Sequence, residues 1–132
     1  MSKEFAGRTY VVTGAARGIG LAVVKRLLNE GARVHACDID AISPNNMHSG
    51  LNFHLIDVRD EETVAKLFYS LKQSGEKING LVNNAAILDS TQFDELNSER
   101  IKEVLETNLG GTLNFTRYAV PLLEASVRSA IV

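Results

Sequence analysis

The chain has a single cysteine, Cys37, so no disulfide framework is possible within it. That residue falls in the apolar segment 32–39, where a buried strand thiol is the expected state. Metal-ligand spacing is missing as well. There is no CxxC or HExxH pattern, and His35, His48 and His54 are not spaced as helical or loop ligands, so no metal site is expected. No uninterrupted apolar run approaches the roughly 20 residues of a membrane span, and no apolar signal core precedes the first strand-like segment, so the expectation is a soluble cytoplasmic protein. Cations are not clustered: 14 Lys and Arg stand against 16 Asp and Glu, a formal net charge of -2, with both signs scattered. A nucleic-acid-binding face needs a basic cluster and is not expected. Small molecules and like subunits are the expected partners.

What is present is an ordinary globular composition, 45% hydrophobic and 23% charged over 132 residues. That length makes one domain, 1–132, burying roughly two thirds of its unfolded surface, with no room for a second. Short apolar runs alternate with helical patterns, the signature of repeated βαβ units and a parallel sheet. The spacing predicts strands over 9–13, 33–38, 52–56 and 78–83, with a fifth beginning at Ala130. A helix over 18–29 carries the apolar positions Ile19, Val23, Val24, Leu27 and Leu28, and Gly31 caps its end. The stretch 41–50 has loop chemistry and leaves little room for a helix. Asp60 caps the next helix, with a stripe of Val64, Leu67, Phe68 and Leu71 that ends at Gly75. A long helix is predicted over 98–125, with Asn97 as N-cap and a bend or early end near Pro121.

The segment Thr13, Gly14, Ala15, Ala16, Arg17, Gly18, Ile19, Gly20 joins the first strand to the first helix. Gly14 allows a sharp turn off the strand, Gly18 allows close backbone approach to phosphates, and Gly20 allows the helix to pack tightly on the strand. The helix start offers unpaired N–H groups and a positive dipole end. A phosphate-transfer P-loop is excluded, because Leu21 and Ala22 follow Gly20 where Lys and Ser or Thr would be required.

With these residues the chain resembles the short-chain dehydrogenase/reductase family along its whole length. Five features occur in the family's order: the turn 13–20, Asp38 at the end of the second strand, Asp57 with Val58 after the third, the run Asn83, Asn84, Ala85, Ala86 after the fourth, and Asn108 in the long helix. Ala86 stands where the family commonly has glycine. The resemblance implies a Rossmann-type, doubly wound α/β fold with strand order 3-2-1-4-5 and helices on both faces. It implies binding of a nicotinamide dinucleotide by Gly14, Arg17, Gly18, Ile19 and Gly20 together with Asp38, Asp57, Val58, Asn84, Ala85 and Ala86. Asp38 would accept hydrogen bonds from the adenosine ribose, which favours NAD over NADP. A 2'-phosphate about 4 to 5 Å from that carboxylate would be repelled by roughly 3 to 4 kcal/mol at an effective dielectric near 20. Arg17 opposes this if its guanidinium pairs with the phosphate; otherwise it is a solvated turn residue. No Lys or Arg follows Asp38 in its loop. Asp57 would hold the adenine amino group or cap a helix. Asn83 would tie neighbouring strand ends together.

Asn108 shares a stripe with Ile101, Val104 and Leu105, which directs an amide toward an apolar interior. The resemblance implies a proton-relay part for it. The plainer alternative is a core amide that satisfies backbone at a helix irregularity, helped by Gly110 and Gly111. Family members run well beyond this length, and their later part carries a serine and a Tyr-x-x-x-Lys pattern for acid/base work. Here Tyr10, Tyr69 and Tyr118 are followed four residues on by Gly14, Gln73 and Leu122, so none fits. Three readings follow: a truncated cofactor-binding portion of an NAD-dependent oxidoreductase, inactive alone; a non-catalytic nucleotide-binding or sensing module; or a structural subunit pairing with a complete relative. Homo-oligomerisation through the long helix or an exposed fifth strand is expected.

Overall fold

A computed structural model describes residues 3–132. β1 (Thr9–Thr13), β2 (Arg33–Asp38), β3 (Leu51–Leu55), β4 (Gly80–Val82) and β5 (Ala130–Ile131) form one sheet in the order β3-β2-β1-β4-β5. Every neighbouring pair is parallel, with Val11 registered on His35 and on Leu81. The parallel α/β sheet is thus the one the pattern predicts, and its doubly wound order the one the resemblance implies.

Strand alternation decides the layers, since successive side chains point to opposite faces. Val12, Val34 and Ala36 point to one face, where α1 (Gly18–Asn29) covers them with Val24, Leu27 and Leu28. Val11, Cys37 and Leu81 point to the other, under α2 (Glu61–Gln73) and the later helix. All four residues of the expected α2 stripe are buried, and Phe68 meets Phe115 edge-to-face with ring centroids 5.7 Å apart. A strand buried on both faces must be apolar nearly throughout, which is why the central strands lack a polar alternation.

Helix ends follow local chemistry. Asp60 and Asn97 each accept the backbone N–H of the residue three further on, Thr63 and Arg100. Past α1, Gly31 takes a left-handed φ of 85°, and the N–H groups of Gly31 and Ala32 return to Leu28 and Leu27. Gly75 does the same for α2. The link from β2 to β3 holds only a single 3-10 turn at Pro44–Asn46, the shortened crossover expected.

Three local expectations shift. β3 starts one residue early, and β4 pairs over only three residues of the six anticipated. The long helix is not uniform: α3 (Ser98–Leu105) passes through a π-helical segment, Glu106–Gly110, into α4 (Gly111–Glu124). Pro121 lies in the last turn of α4, close to where the helix ends, and the irregularity falls a dozen residues earlier. Among the described residues no helix is long and apolar enough to cross a membrane.

Candidate functional site

The chain leaves β1 to one side of the sheet and later returns to its other side with β4, so the order reverses between these two strands. In open parallel sheets a crevice opens there, at the carboxyl ends. In this structure a crevice of about 270 Å³ lies at that point, walled by Gly14, Arg17, Asp38, Asp57 and Val58 on one side and by Asn84, Ala85 and Ala86 on the other. The residues predicted to bind the cofactor therefore converge, with three exceptions. Gly18 and Ile19 sit at the start of α1, where Ile19 is exposed, and Gly20 is buried beneath the turn.

The glycines do different things. Gly14 has φ 63°, and a Cβ there would meet the Asn84 amide nitrogen at 2.8 Å and the Ala85 Cα at 2.9 Å. A Cβ on Gly20 would lie 2.0 Å from the Gly14 carbonyl oxygen, so α1 crosses the turn at a distance only glycine permits. Gly18 also has positive φ, 57°, but faces open space. Arg17 occupies the N-cap position in extended backbone, and no side chain caps the helix. The first-turn N–H groups of α1 are therefore left without a side-chain acceptor, the arrangement that holds an anion.

On the rim, both oxygens of Asp38 are fixed by backbone donors, Ala16 at 2.9 Å and Asp40 at 3.0 Å. The Arg17 guanidinium lies 3.7 Å from the Asp40 carboxylate. Asp57 does not cap α2; it is gripped through both oxygens by the Arg59 side chain, at 2.6 to 3.1 Å, and also accepts the Arg59 backbone N–H. Those bonds hold its carboxyl below the usual range against an opposing push from burial. Val58 is fixed from behind. Asn114 donates to its carbonyl at 3.0 Å, and its side chain fills the space a Cβ on Gly111 would take.

The opposite wall is held by amides. Asn84 Nδ2 donates to the carbonyls of Thr13 and Gly14, each at 3.1 Å. Asn83 ties β4 to its neighbours through its N–H to the Val132 carbonyl at 2.7 Å and its Nδ2 to the Thr116 hydroxyl at 3.0 Å, while its Oδ1 is buried with no partner among the described residues. Asn108 sits in the π segment and spends both amide groups on one residue. Its Oδ1 accepts the Ile87 N–H at 2.8 Å, and its Nδ2 donates to the Ile87 carbonyl at 3.0 Å. Its own carbonyl accepts the Thr112 hydroxyl.

The stripe assigned to the interior beside Asn108 needs correction. Ile101 and Leu105 are exposed, and with Leu109 and Leu113 they form an apolar row on the outside of the long helix. Helical spacing identifies an apolar face but not what covers it. Sequence reasoning also missed Arg59 and Ile87 as crevice walls. Arg59 follows Asp57 by two positions, a spacing that could have suggested the pair. Away from the crevice, burial pushes the Cys37 thiol far up, which leaves it inert. Tyr118 donates to Glu61 on the outer surface, and no tyrosine lines the crevice.

The model of the short chain dehydrogenase family matches residues 8–132. The chain belongs to that family. Among relatives, this short chain dehydrogenase chain is 33% identical to L-fucose dehydrogenase of Bos taurus over 96% of its own length and 48% of that protein's. It is 36% identical to a tropinone reductase homolog of Arabidopsis thaliana, over 96% and 52%. The chain spans about half the length of the curated relatives it matches. Among solved structures, a short chain dehydrogenase of Leptospira borgpetersenii with bound NAD+ superposes with a TM-score of 0.88 at 27% identity, covering 94% of this chain and 49% of that one. The fold of Thermoplasma acidophilum aldohexose dehydrogenase, at 23% identity, gives the same score over 99% and 50%.

Proposed function

We propose that this chain builds the dinucleotide-binding part of an oxidoreductase acting between alcohol and ketone, and that its cofactor is NAD. The observation that carries the reading is the uncapped start of α1, whose N-cap residue Arg17 lines the crevice that Asp38 borders. A nicotinamide dinucleotide supplies the hydride-accepting and hydride-donating chemistry when bound. The chain's own residues bind and orient it. The N–H groups and dipole of α1 hold the diphosphate. Asp38, oriented in advance by Ala16 and Asp40, keeps lone pairs for ribose hydroxyls. Asp57 and Val58 form the adenine end. Asn84, Ala85 and Ala86 give a low wall at the second ribose, and Asn108 sets its continuation at Ile87. Any relay through Asn108 uses its main-chain carbonyl, because its amide is committed. The NAD+ bound to the Leptospira relative supports the choice of cofactor.

No proton donor of the Tyr-x-x-x-Lys kind is present in these residues, so this chain alone binds without turnover. The exposed row Ile101, Leu105, Leu109 and Leu113 supports self-association through the long helix, and the exposed β5 supports it at the sheet edge. Calorimetric titration with NADH, NADPH and AMP tests the reading. Binding of NADH and AMP with similar affinity, weaker NADPH and no turnover is expected; failure to bind any of the three overturns it.

A further inference from the structure

Among the crevice-lining residues there are two cations, Arg17 and Arg59, and each faces an acid. Arg59 is locked in both directions by Asp57. Arg17 is held more loosely, 3.7 Å from Asp40, with both side chains largely exposed. The Asp40 backbone is fixed in place, because its N–H donates to the Asp38 carboxylate that would meet the ribose. Beside Asp38 on the rim there is thus a second carboxylate, Asp40, and one guanidinium, that of Arg17, already drawn toward Asp40. No Lys or Arg occurs between Asp38 and Gly50 to alter that balance.

We infer that Asp40 is a specificity-determining residue, which holds the Arg17 guanidinium away from the ribose 2' position and so disfavours a 2'-phosphorylated dinucleotide. The inference rests on the dinucleotide reading above and deepens it. Asp38 alone would repel a 2'-phosphate, but a free Arg17 at the same rim would offset that repulsion through a paired, fork-shaped contact. Asp40 removes the offset. It acts on Arg17 and not on the chemistry, so it is a positioning residue, and its effect is confined to the 2' position.

The test is calorimetric binding of NADH, NADPH, 5'-AMP and 2',5'-ADP to the full chain and to Asp40→Asn, Arg17→Ala and the double variant. Freeing an exposed charge partner is worth about a 1.4- to fivefold change. We therefore expect Asp40→Asn to narrow the ratio of NADPH to NADH dissociation constants by about that factor, through tighter NADPH and 2',5'-ADP binding. In the Arg17→Ala background the same substitution should leave the ratio where Arg17→Ala alone set it. An unchanged ratio in Asp40→Asn, with NADH binding intact, overturns the role of Asp40 and leaves the dinucleotide reading standing. An equal narrowing with and without Arg17 shows that the Asp40 charge acts on the phosphate directly and overturns the inference as stated. No nucleotide binding by the unsubstituted chain overturns both.

Discussion

The Thr13 hydroxyl and the Asn84 backbone close the seam between the tips of β1 and β4. Thr13 Oγ1 accepts the N–H of Asn84 and of Ala85, each at 3.0 Å, and donates to the Val82 carbonyl at 3.4 Å. Asn84 answers with its amide on the Thr13 and Gly14 carbonyls. One buried hydroxyl therefore satisfies two donors of a wall segment that has no strand partner of its own.

Thr13→Val keeps the shape and removes the oxygen. Two part-buried N–H groups then lose their acceptor, a loss of about 2 to 3 kcal/mol, and urea denaturation should register it. Thr13→Ser should retain most of the stability. A Val variant as stable as the parent would show that the seam is held elsewhere.

The glycines separate stability from binding. Gly20→Ala puts a methyl group against the Gly14 carbonyl oxygen at 2.0 Å, a backbone clash with no flexible partner to yield, and should cost about 3 kcal/mol or more or prevent folding. Gly18→Ala meets open space, and its left-handed backbone costs about 1 to 2 kcal/mol. Its main effect should be a loss of nucleotide affinity, read by calorimetry on the folded variant.

Asn108→Asp should weaken the crevice wall from behind. The carboxylate still accepts from Ile87 N–H, but it no longer donates to the Ile87 carbonyl, and the two oxygens repel. The expected cost is about 1 to 3 kcal/mol, with faster hydrogen exchange at the Ile87 amide as a local readout. Unchanged exchange there would mean that the π segment is held without this contact.

Acid should destabilise the fold through a histidine chain at the β2–β3 edge. His54 Nε2 meets His35 Nδ1 at 2.9 Å, His35 Nε2 meets Glu76 at 2.9 Å, and Arg33 pairs with the other Glu76 oxygen at 3.2 Å. Burial first, and then the neighbouring His35, hold the His54 imidazole below its ordinary value of 6.5, against a smaller opposing pull from Glu76. The unfolded chain therefore binds more protons than the folded one as pH falls past 6.5, and stability drops over that window down to the folded value. Denaturation midpoints measured from pH 7.5 to 5 should fall, and His54→Gln should flatten the slope. The depressed Asp57 carboxyl adds a separate loss at lower pH, below its ordinary 3.8.

Elements set by neighbours in sequence could be read from sequence. The bounds of β1, α1 and β2, the caps Asp60 and Asn97, and the closing glycines Gly31 and Gly75 depend on contacts within a few positions. The crevice residues were legible because the order of motifs fixes which strand ends they occupy. What escaped depends on distant partners. The irregularity at Glu106–Gly110 matches the plainer alternative read for Asn108, but the backbone that its amide satisfies, at Ile87, lies 21 positions away and was not foreseen. The chain from His54 to Glu76 crosses a strand pair and a helix end, and no spacing rule joins its members. Ile101 and Leu105 read as core because periodicity finds a face without saying whether a neighbour lies on it.

Gly111 lets α4 press directly on Val58, and Asn114 grips the same residue by its carbonyl. Leu113, exposed on the same helix, and the crevice wall at Val58 are thus served by two faces of α4. A partner seated on that outer face would therefore lie directly behind the crevice wall.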